Sequence, residues 1–84
     1  MLDIELFGQY NIYMENIQQT LSKHIKELRL KHNLSQAEFG KKIGVSVKTV
    51  KAWETGLRIP RFNHLIKLAV SFDIRLNYLC GFDL

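Results

Sequence analysis

The stretch that decides the fold is residues 35–56, which read SQAEFGKKIGVSVKTVKAWETG. Its opening predicts a helix, because the Ser35 hydroxyl can accept from the amide of residue 38 while the Glu38 carboxylate reaches back to the amide of residue 35, as in a capping box. Gly44 predicts the end of this helix, since glycine readily adopts the positive φ of a helix C-terminus. Ser46 is a favourable N-cap, and it predicts a further helix directly afterwards.

This further helix is predicted from Val47 to about Thr55, where Gly56 ends it. Only residues 44–46 separate it from the helix before. Two helices joined by so short a turn cannot lie antiparallel along their full length, so they must cross steeply. The spacing therefore predicts a helix-turn-helix unit.

Helical periodicity continues on both sides of this unit. Upstream, apolar residues recur at spacings of four, four and three, as on one face of an amphipathic helix. They are Ile17, Leu21, Ile25 and Leu28. That helix is predicted to end near His32, because Asn33 tolerates the left-handed conformation. Downstream, Pro60 allows a helix to begin near Arg61, and a short final helix is predicted at about residues 76–80.

Residues 1–20 leave three alternatives open. Residues 4–13 can be drawn as two short strands around a Gly-Gln turn, although an isolated hairpin is only marginally stable. The other two alternatives are the start of the first helix, as an extra helical turn, and a disordered segment. We therefore divide the chain into an N-terminal extension at residues 1–20, a folded domain at residues 21–81 and a tail at residues 82–84.

Charge is distributed unevenly along the chain. The net charge is +4 and the isoelectric point is near 9.4. Residues 21–61 hold ten Lys and Arg against three Glu, a net of +7, whereas residues 1–20 hold three acids and no base. A basic block of this kind is typical of a protein that binds a polyanion.

Composition and motifs disfavour an enzyme. Cys80 is the only cysteine, so no intrachain disulfide or thiolate cluster is expected, and its thiol is predicted to be buried and inert. His24, His32 and His64 lack metal-ligand spacing, and we predict them to be surface or half-buried side chains. The sequence contains no nucleophile elbow and no Gly-rich phosphate loop. We expect neither a cofactor nor a metal.

A membrane protein is disfavoured as well. The longest uncharged stretch, residues 6–14, has nine residues, and a membrane span needs about 18 or more. The N-terminus opens with two acids among its first five residues, whereas a secretory signal begins with basic residues. The expectation is a cytoplasmic protein, associated with the nucleoid if the polyanion that its basic block binds is DNA.

Four features fall at the spacings of one known family. They are the Ser35-Gln36 opening, Gly44 in the turn, the Trp53-Glu54-Thr55-Gly56 ending and Pro60. On these residues the chain resembles the helix-turn-helix domain of phage repressors and Cro proteins, the lambda-repressor-like domain of XRE-type bacterial regulators. The resemblance covers residues 21–81 and implies a compact, all-α domain of five helices.

The resemblance also implies a DNA interface on the helix at residues 47–55. Four of its residues project to one side by their helical spacing, and in the resembling family these positions face base edges in the major groove. They are Val47, Lys48, Lys51 and Ala52. Lys48 is suited to donate to guanine O6 and N7, while Val47 and Ala52 can contact thymine methyl groups. The implied phosphate contacts are Gln36, Ser46, Thr49, Thr55, Arg58 and Arg61.

Lys41 and Lys42 are interpreted as general electrostatics. Glu54 is expected to pair with a basic residue or a turn amide inside the domain. Gly40 stands where the family usually has Ala, facing the next helix, and replacement by Ala is expected to be neutral or stabilising. The family often has Gly and Ser where this chain has Asp73 and Arg75, so the last turn is less securely placed.

The favoured function is a transcriptional regulator, with repression as the leading mode, that binds a partly palindromic double-stranded DNA operator as a homodimer. A dimer surface is expected among the C-terminal apolar residues Tyr78, Leu79, Phe82 and Leu84. One alternative is an antitoxin or the controller of a restriction-modification system, which has a toxin or another regulatory protein as partner. Another alternative is a protein-interaction module that has lost DNA binding.

Overall fold

The computed structural model describes the backbone of residues 4–81 and the side-chain environments of residues 16–81. Five helices follow one another along this part of the chain. They are α1 (Ile4–Lys31), α2 (Gln36–Ile43), α3 (Val47–Thr55), α4 (Phe62–Ser71) and α5 (Leu76–Cys80). No strand occurs between residues 4 and 81. The predicted all-α fold of five helices is therefore confirmed.

α1 is one helix of 28 residues, which at about 1.5 Å per residue is roughly 42 Å long. It runs without interruption past residue 20, where the predicted extension was to meet the folded domain. Residues 4–20 form the first part of α1, so the strand-like arm is wrong. The helical alternative placed the start of the first helix here, and this helical continuation is far longer than one extra turn. A helix makes its backbone hydrogen bonds within itself, whereas a hairpin needs another element to pack against. Residues 1–3 and the predicted tail at residues 82–84 lie outside the described residues.

The predicted helix ends are confirmed at the capping residues expected from the sequence. Ser35 Oγ accepts from the Glu38 amide at 3.0 Å, and Glu38 Oε1 accepts from the Ser35 amide at 2.9 Å. Asn33 takes a left-handed φ of 56° after α1, and Gly44 takes 85° after α2. The Gly44 and Val45 amides both donate to the Gly40 carbonyl oxygen, at 2.7 and 2.8 Å. This closure ends α2, and α3 begins after only residues 44–46.

The capping box gives stability a dependence on pH. The hydrogen bond from the Ser35 amide lowers the pKa of the Glu38 carboxyl below its ordinary value of 4.5. A carboxyl whose pKa is lower in the folded state than in the unfolded state stabilises the fold at pH values above its unfolded-state pKa. This stabilisation is lost as the pH falls through the folded-state pKa. We expect the melting temperatures of wild type and Glu38→Ala to converge as pH is lowered from about 6 to about 3, by scanning calorimetry.

The matched control for this prediction is Glu38→Gln, which keeps a side-chain acceptor for the Ser35 amide but does not titrate. Its melting temperature is expected to stay above that of Glu38→Ala by a constant amount across the same pH range. A gap between wild type and Glu38→Ala that does not change with pH would contradict the linkage.

Ten buried apolar side chains form the core between the helices. They are Leu21, Ile25, Leu28, Phe39, Ile43, Val50, Trp53, Leu68, Phe72 and Leu79. Leu79 is fully buried, so its predicted place in a dimer surface is wrong; the small domain needs this side chain to join α5 to α1 and α4. Tyr78 stays 42% exposed, while Phe82 and Leu84 lie beyond the described residues.

Gly40 lies at the closest approach of α2 to the turn that follows it. A Cβ atom built on Gly40 would lie 2.6 Å from the Val45 carbonyl oxygen and 3.2 Å from Val50 Cγ2. The first of these contacts is with backbone, which cannot rotate away as a side chain can. The expectation that Gly40→Ala is neutral or stabilising is therefore wrong. The gain in helix propensity, about 1 kcal/mol, is opposed by steric overlap between the new Cβ atom and the Val45 carbonyl oxygen.

The last turn is held by contacts that the sequence did not indicate. Asp73 takes a left-handed φ of 52° in the link between α4 and α5, a conformation that Asp tolerates better than most residues. His24 of α1 donates from Nδ1 to the Tyr78 carbonyl oxygen at 2.6 Å, and its ring stacks on the Tyr78 ring with centroids 4.5 Å apart. These contacts fix α5 against α1.

Candidate nucleic-acid interface

α3 is held with one face inward and the other outward. Val50 and Trp53 are buried on its inner side, and the ring of His64 from α4 lies 5.5 Å from the Trp53 ring, centroid to centroid. On the outer side Val47, Lys48 and Lys51 are exposed, while Ala52 is half-buried. The structure thus brings the four predicted base-contacting residues together on the solvent face of α3.

The outer side of α3 continues into the loop that follows it. A shallow depression there is lined by Lys48, Thr49, Lys51, Ala52, Thr55, Leu57 and Arg58. Three of these seven residues are cations and none is an acid, so the depression has a positive potential. Leu57, which sequence reasoning missed, is 78% exposed. The sequence feature that could have indicated Leu57 is its position as an isolated apolar residue directly after Gly56, the glycine that ends α3.

Hydroxyl groups at the two ends of α3 are occupied within the helix. Ser46 Oγ accepts from the Thr49 amide at 3.2 Å and lies 3.0 Å from Thr49 Oγ1. Thr55 Oγ1 donates back to the Lys51 carbonyl oxygen at 2.9 Å. Because a hydroxyl has one hydrogen, Thr55 must give up this bond before it can donate to a phosphate.

The other predicted phosphate contacts are Arg58, which lines this depression, and Arg61 and Gln36, which do not. Arg58 and Arg61 are exposed, and Arg61 is the N-cap residue of α4 without a side-chain cap bond. Gln36 is half-buried at the first position of α2, and its amide Nε2 donates to Glu54 Oε1 at 3.3 Å.

Beneath this surface lies an ion pair between α1 and α3. Arg29 Nε donates to Glu54 Oε2 at 2.7 Å, and Arg29 Nη2 donates to Glu54 Oε1 at 3.0 Å. Only 11% of the Arg29 side chain and 5% of the Glu54 side chain are exposed. The hydrogen bond to Glu54 raises the pKa of Arg29, so this guanidinium stays charged. The expectation that Glu54 pairs with a basic residue inside the domain matches this geometry.

The remaining lysines, histidines and cysteine lie outside the interface. Lys42 Nζ lies 4.7 Å above the Phe72 ring. Lys67, which sequence reasoning did not single out, donates to the Ile43 carbonyl oxygen at the end of α2. His24 and His64 are half-buried and His32 is exposed. Cys80 is half-buried rather than buried, and burial raises the pKa of its thiol.

Within the part of the chain that the structure describes, no helix combines the length and the apolar character needed to cross a membrane. No three His, Cys, Asp or Glu side chains gather into a potential metal site among those same residues.

The profile of the helix-turn-helix family matches residues 25–79, most of the chain and every residue of the candidate interface. The chain belongs to the helix-turn-helix family. This is a family of DNA-binding transcription regulators, which is the class that the sequence resemblance implied.

Individual relatives within the helix-turn-helix family are similar over the same region. The cryptic phage CTXphi transcriptional repressor RstR of Vibrio cholerae is 35% identical over 49 residues, 58% of this chain. The match spans 44% of that repressor's length. An uncharacterised HTH-type transcriptional regulator of Archaeoglobus fulgidus is 36% identical over 70% of this chain and 84% of its own. Another from Methanocaldococcus jannaschii is 34% identical over 67% of this chain and 85% of its own.

A solved structure with the helix-turn-helix fold is also similar. The P22 c2 repressor, crystallised in complex with a synthetic operator, superposes with a TM-score of 0.69 at 28% identity. The match covers 75% of this chain and 96% of the repressor chain. This similarity supports the assignment of the lambda-repressor-like fold.

Proposed function

We propose that this helix-turn-helix protein represses transcription by occupying a partly palindromic double-stranded DNA operator as a homodimer. The observation that carries the proposal is the outer face of α3, where Val47, Lys48 and Lys51 are exposed on a helix whose inner face is locked into the core. The similarity to RstR and to the operator-bound P22 c2 repressor supports both the ligand and the mode of regulation.

The mechanism is occupancy of DNA, without covalent chemistry. α3 is the recognition helix and enters the major groove, where Lys48 donates to a guanine and Val47 contacts a thymine methyl group. Phosphate contacts from the residues around α3, above all Arg58 and Arg61, fix the register of the protein on the duplex. In a homodimer the two recognition helices lie about 34 Å apart, so that they meet successive major grooves on one side of the DNA.

We expect Lys48→Ala to lose about 1–3 kcal/mol of binding free energy on the preferred operator and to flatten preference at one base pair in each half-site. Affinity for unrelated duplex is expected to fall much less, because Lys48 reads a base edge and not only a phosphate. The measurement is fluorescence anisotropy with an operator selected from random DNA, compared with random duplex, at several salt concentrations.

The matched control is Lys41→Ala, which removes the same charge from an exposed position of α2. It is expected to weaken both duplexes by a similar small factor. Equal losses on both duplexes for Lys48→Ala would make Lys48 a phosphate contact. A wild-type affinity that does not fall with salt would instead favour a protein-interaction module, since neutralised phosphates release counterions. Sedimentation of the protein with and without operator tests the homodimer.

A further inference from the structure

The starting observation is the position of Gln36 between the surface and the interior. It is the first residue of α2 and is half-buried. The amide hydrogens at this end of a helix give it a positive potential, which favours an anion such as a DNA phosphate. The Gln36 side chain turns toward Glu54, to which its Nε2 donates at 3.3 Å.

Glu54 can hold this amide because its own carboxylate is buried and hydrogen-bonded. Two hydrogen bonds from Arg29, at 2.7 and 3.0 Å, fix both carboxylate oxygens. Arg29 in turn donates from Nη1 to the Leu34 carbonyl oxygen at 3.0 Å, in the turn just before α2. The carboxylate therefore has a fixed position relative to the N-terminus of α2.

An ionised carboxylate accepts hydrogen bonds and donates none. Only the NH2 group of the Gln36 amide can face Glu54, because the amide oxygen would meet a second acceptor. Nε2 carries two hydrogens, and Glu54 takes one of them. Nε2 makes no other hydrogen bond within the part of the chain that the structure describes, so its second hydrogen is available to a phosphate oxygen. The bond to Glu54 also restricts the terminal torsion of the Gln36 side chain, which is otherwise broad.

We propose that Glu54 is a positioning residue for the DNA interface, holding the Gln36 amide so that its second hydrogen is ready for a backbone phosphate. This inference rests on the proposed DNA-binding function. It assigns to the buried ion pair a role in binding beyond its role in stability, since ordering a side chain before binding removes part of the entropy that binding must otherwise overcome.

The experiment is a double-mutant cycle on operator affinity with Glu54→Gln, Gln36→Ala and the double variant, each shown to be folded by circular dichroism. We expect Glu54→Gln to weaken binding about threefold to tenfold in the wild-type background, within the range for contacting side chains. In the Gln36→Ala background the same change is expected to cause no weakening. Additive losses would overturn the proposal, as would unchanged affinity of the folded variant.

Two features of the cycle separate positioning from other effects. Glu54→Gln removes a negative charge, so electrostatics alone would strengthen binding to DNA, the opposite of the expected direction. A parallel cycle with Arg61→Ala is expected to be additive, because Arg61 is the N-cap residue of α4 and is not among the hydrogen-bond or ion-pair partners of the Glu54 side chain. Failure of the wild type to bind duplex DNA would refute the proposed function, whereas binding with an additive Gln36 cycle would refute only this inference.

Glu54→Asp is the second variant, because it keeps the negative charge while its side chain, one methylene shorter, draws the carboxylate back from both Arg29 and Gln36. It is expected to behave as Glu54→Gln does in the cycle. If neither variant folds, nuclear magnetic resonance of the wild-type protein tests the hydrogen bond between the Gln36 side-chain amide and Glu54. One of the two Gln36 side-chain amide hydrogens is expected to exchange with water much more slowly than the other. Signals like those of a freely solvated glutamine would overturn the proposal.

Discussion

Arg29→Met is expected to lower the free energy of unfolding by about 3–5 kcal/mol, the cost of leaving a buried charge without its partner. The variant keeps the aliphatic part of the side chain but strands the Glu54 carboxylate, which is only 5% exposed. It also removes the donor to the Leu34 carbonyl oxygen. Urea denaturation followed by circular dichroism measures the loss.

The control for this prediction is the surface pair of α1. Lys23 Nζ lies 3.9 Å from Glu27 Oε1, and the two side chains are 73% and 51% exposed. Lys23→Met is expected to cost no more than about 1 kcal/mol, because solvent screens such a pair. A double variant, Arg29→Met with Glu54→Met, is expected to recover most of the stability. If Arg29→Met proves as mild as Lys23→Met, Glu54 reaches solvent and the pair is not buried in solution.

Gly40→Val is expected to destabilise the protein by about 3 kcal/mol or more, and Gly40→Ala by about 1–3 kcal/mol, through overpacking. Even the smaller side chain places an atom 2.6 Å from the Val45 carbonyl oxygen. Valine adds two methyl groups where Val50 Cγ2 is already 3.2 Å from the Cβ position. The turn between α2 and α3 must then open. Thermal and urea denaturation of both variants give the comparison.

Lys41→Ala serves as the control for Gly40, since it changes the adjacent exposed position of the same helix. Its unfolding free energy is expected to stay within about 0.5 kcal/mol of wild type. Gly40→Ala with a melting temperature at or above that of the wild type would show that the Val45 carbonyl moves aside freely. Equal melting temperatures for the Ala and Val variants would exclude a tight crossing at this site.

The helix boundaries were predictable because single residues mark them through local chemistry. Ser35, Gly44 and Ser46 act on backbone groups only a few residues away, so the sequence contains both partners of each interaction. The outer face of α3 was predictable for the same reason, since helical periodicity relates Val47 to Lys51. The resemblance to a family then assigned that face to DNA.

The partners of Glu54 and Gly40 could not be predicted, because they are set by tertiary contacts. Several cations in the same stretch of α1 could have reached Glu54, and only the packed arrangement brings Arg29 to it. Gly40 was correctly placed against the next helix, but the nearest atom belongs to the Val45 backbone, whose position depends on how the turn closes. Leu79 is one of several apolar residues near the C-terminus, which is why it was expected in a dimer surface. Tertiary packing instead places it in the core.

The long first helix has a hydrodynamic consequence. The Cα radius of gyration is 14.1 Å, whereas a compact domain of this length has about 12 Å, and the longest dimension of 48 Å is more than twice the shortest, 20 Å. An elongated monomer sediments more slowly, and elutes earlier from a sizing column, than a compact chain of the same mass. Elution volume alone would therefore assign too large a mass to one chain, and self-association has to be measured by sedimentation equilibrium, which reports mass independently of shape.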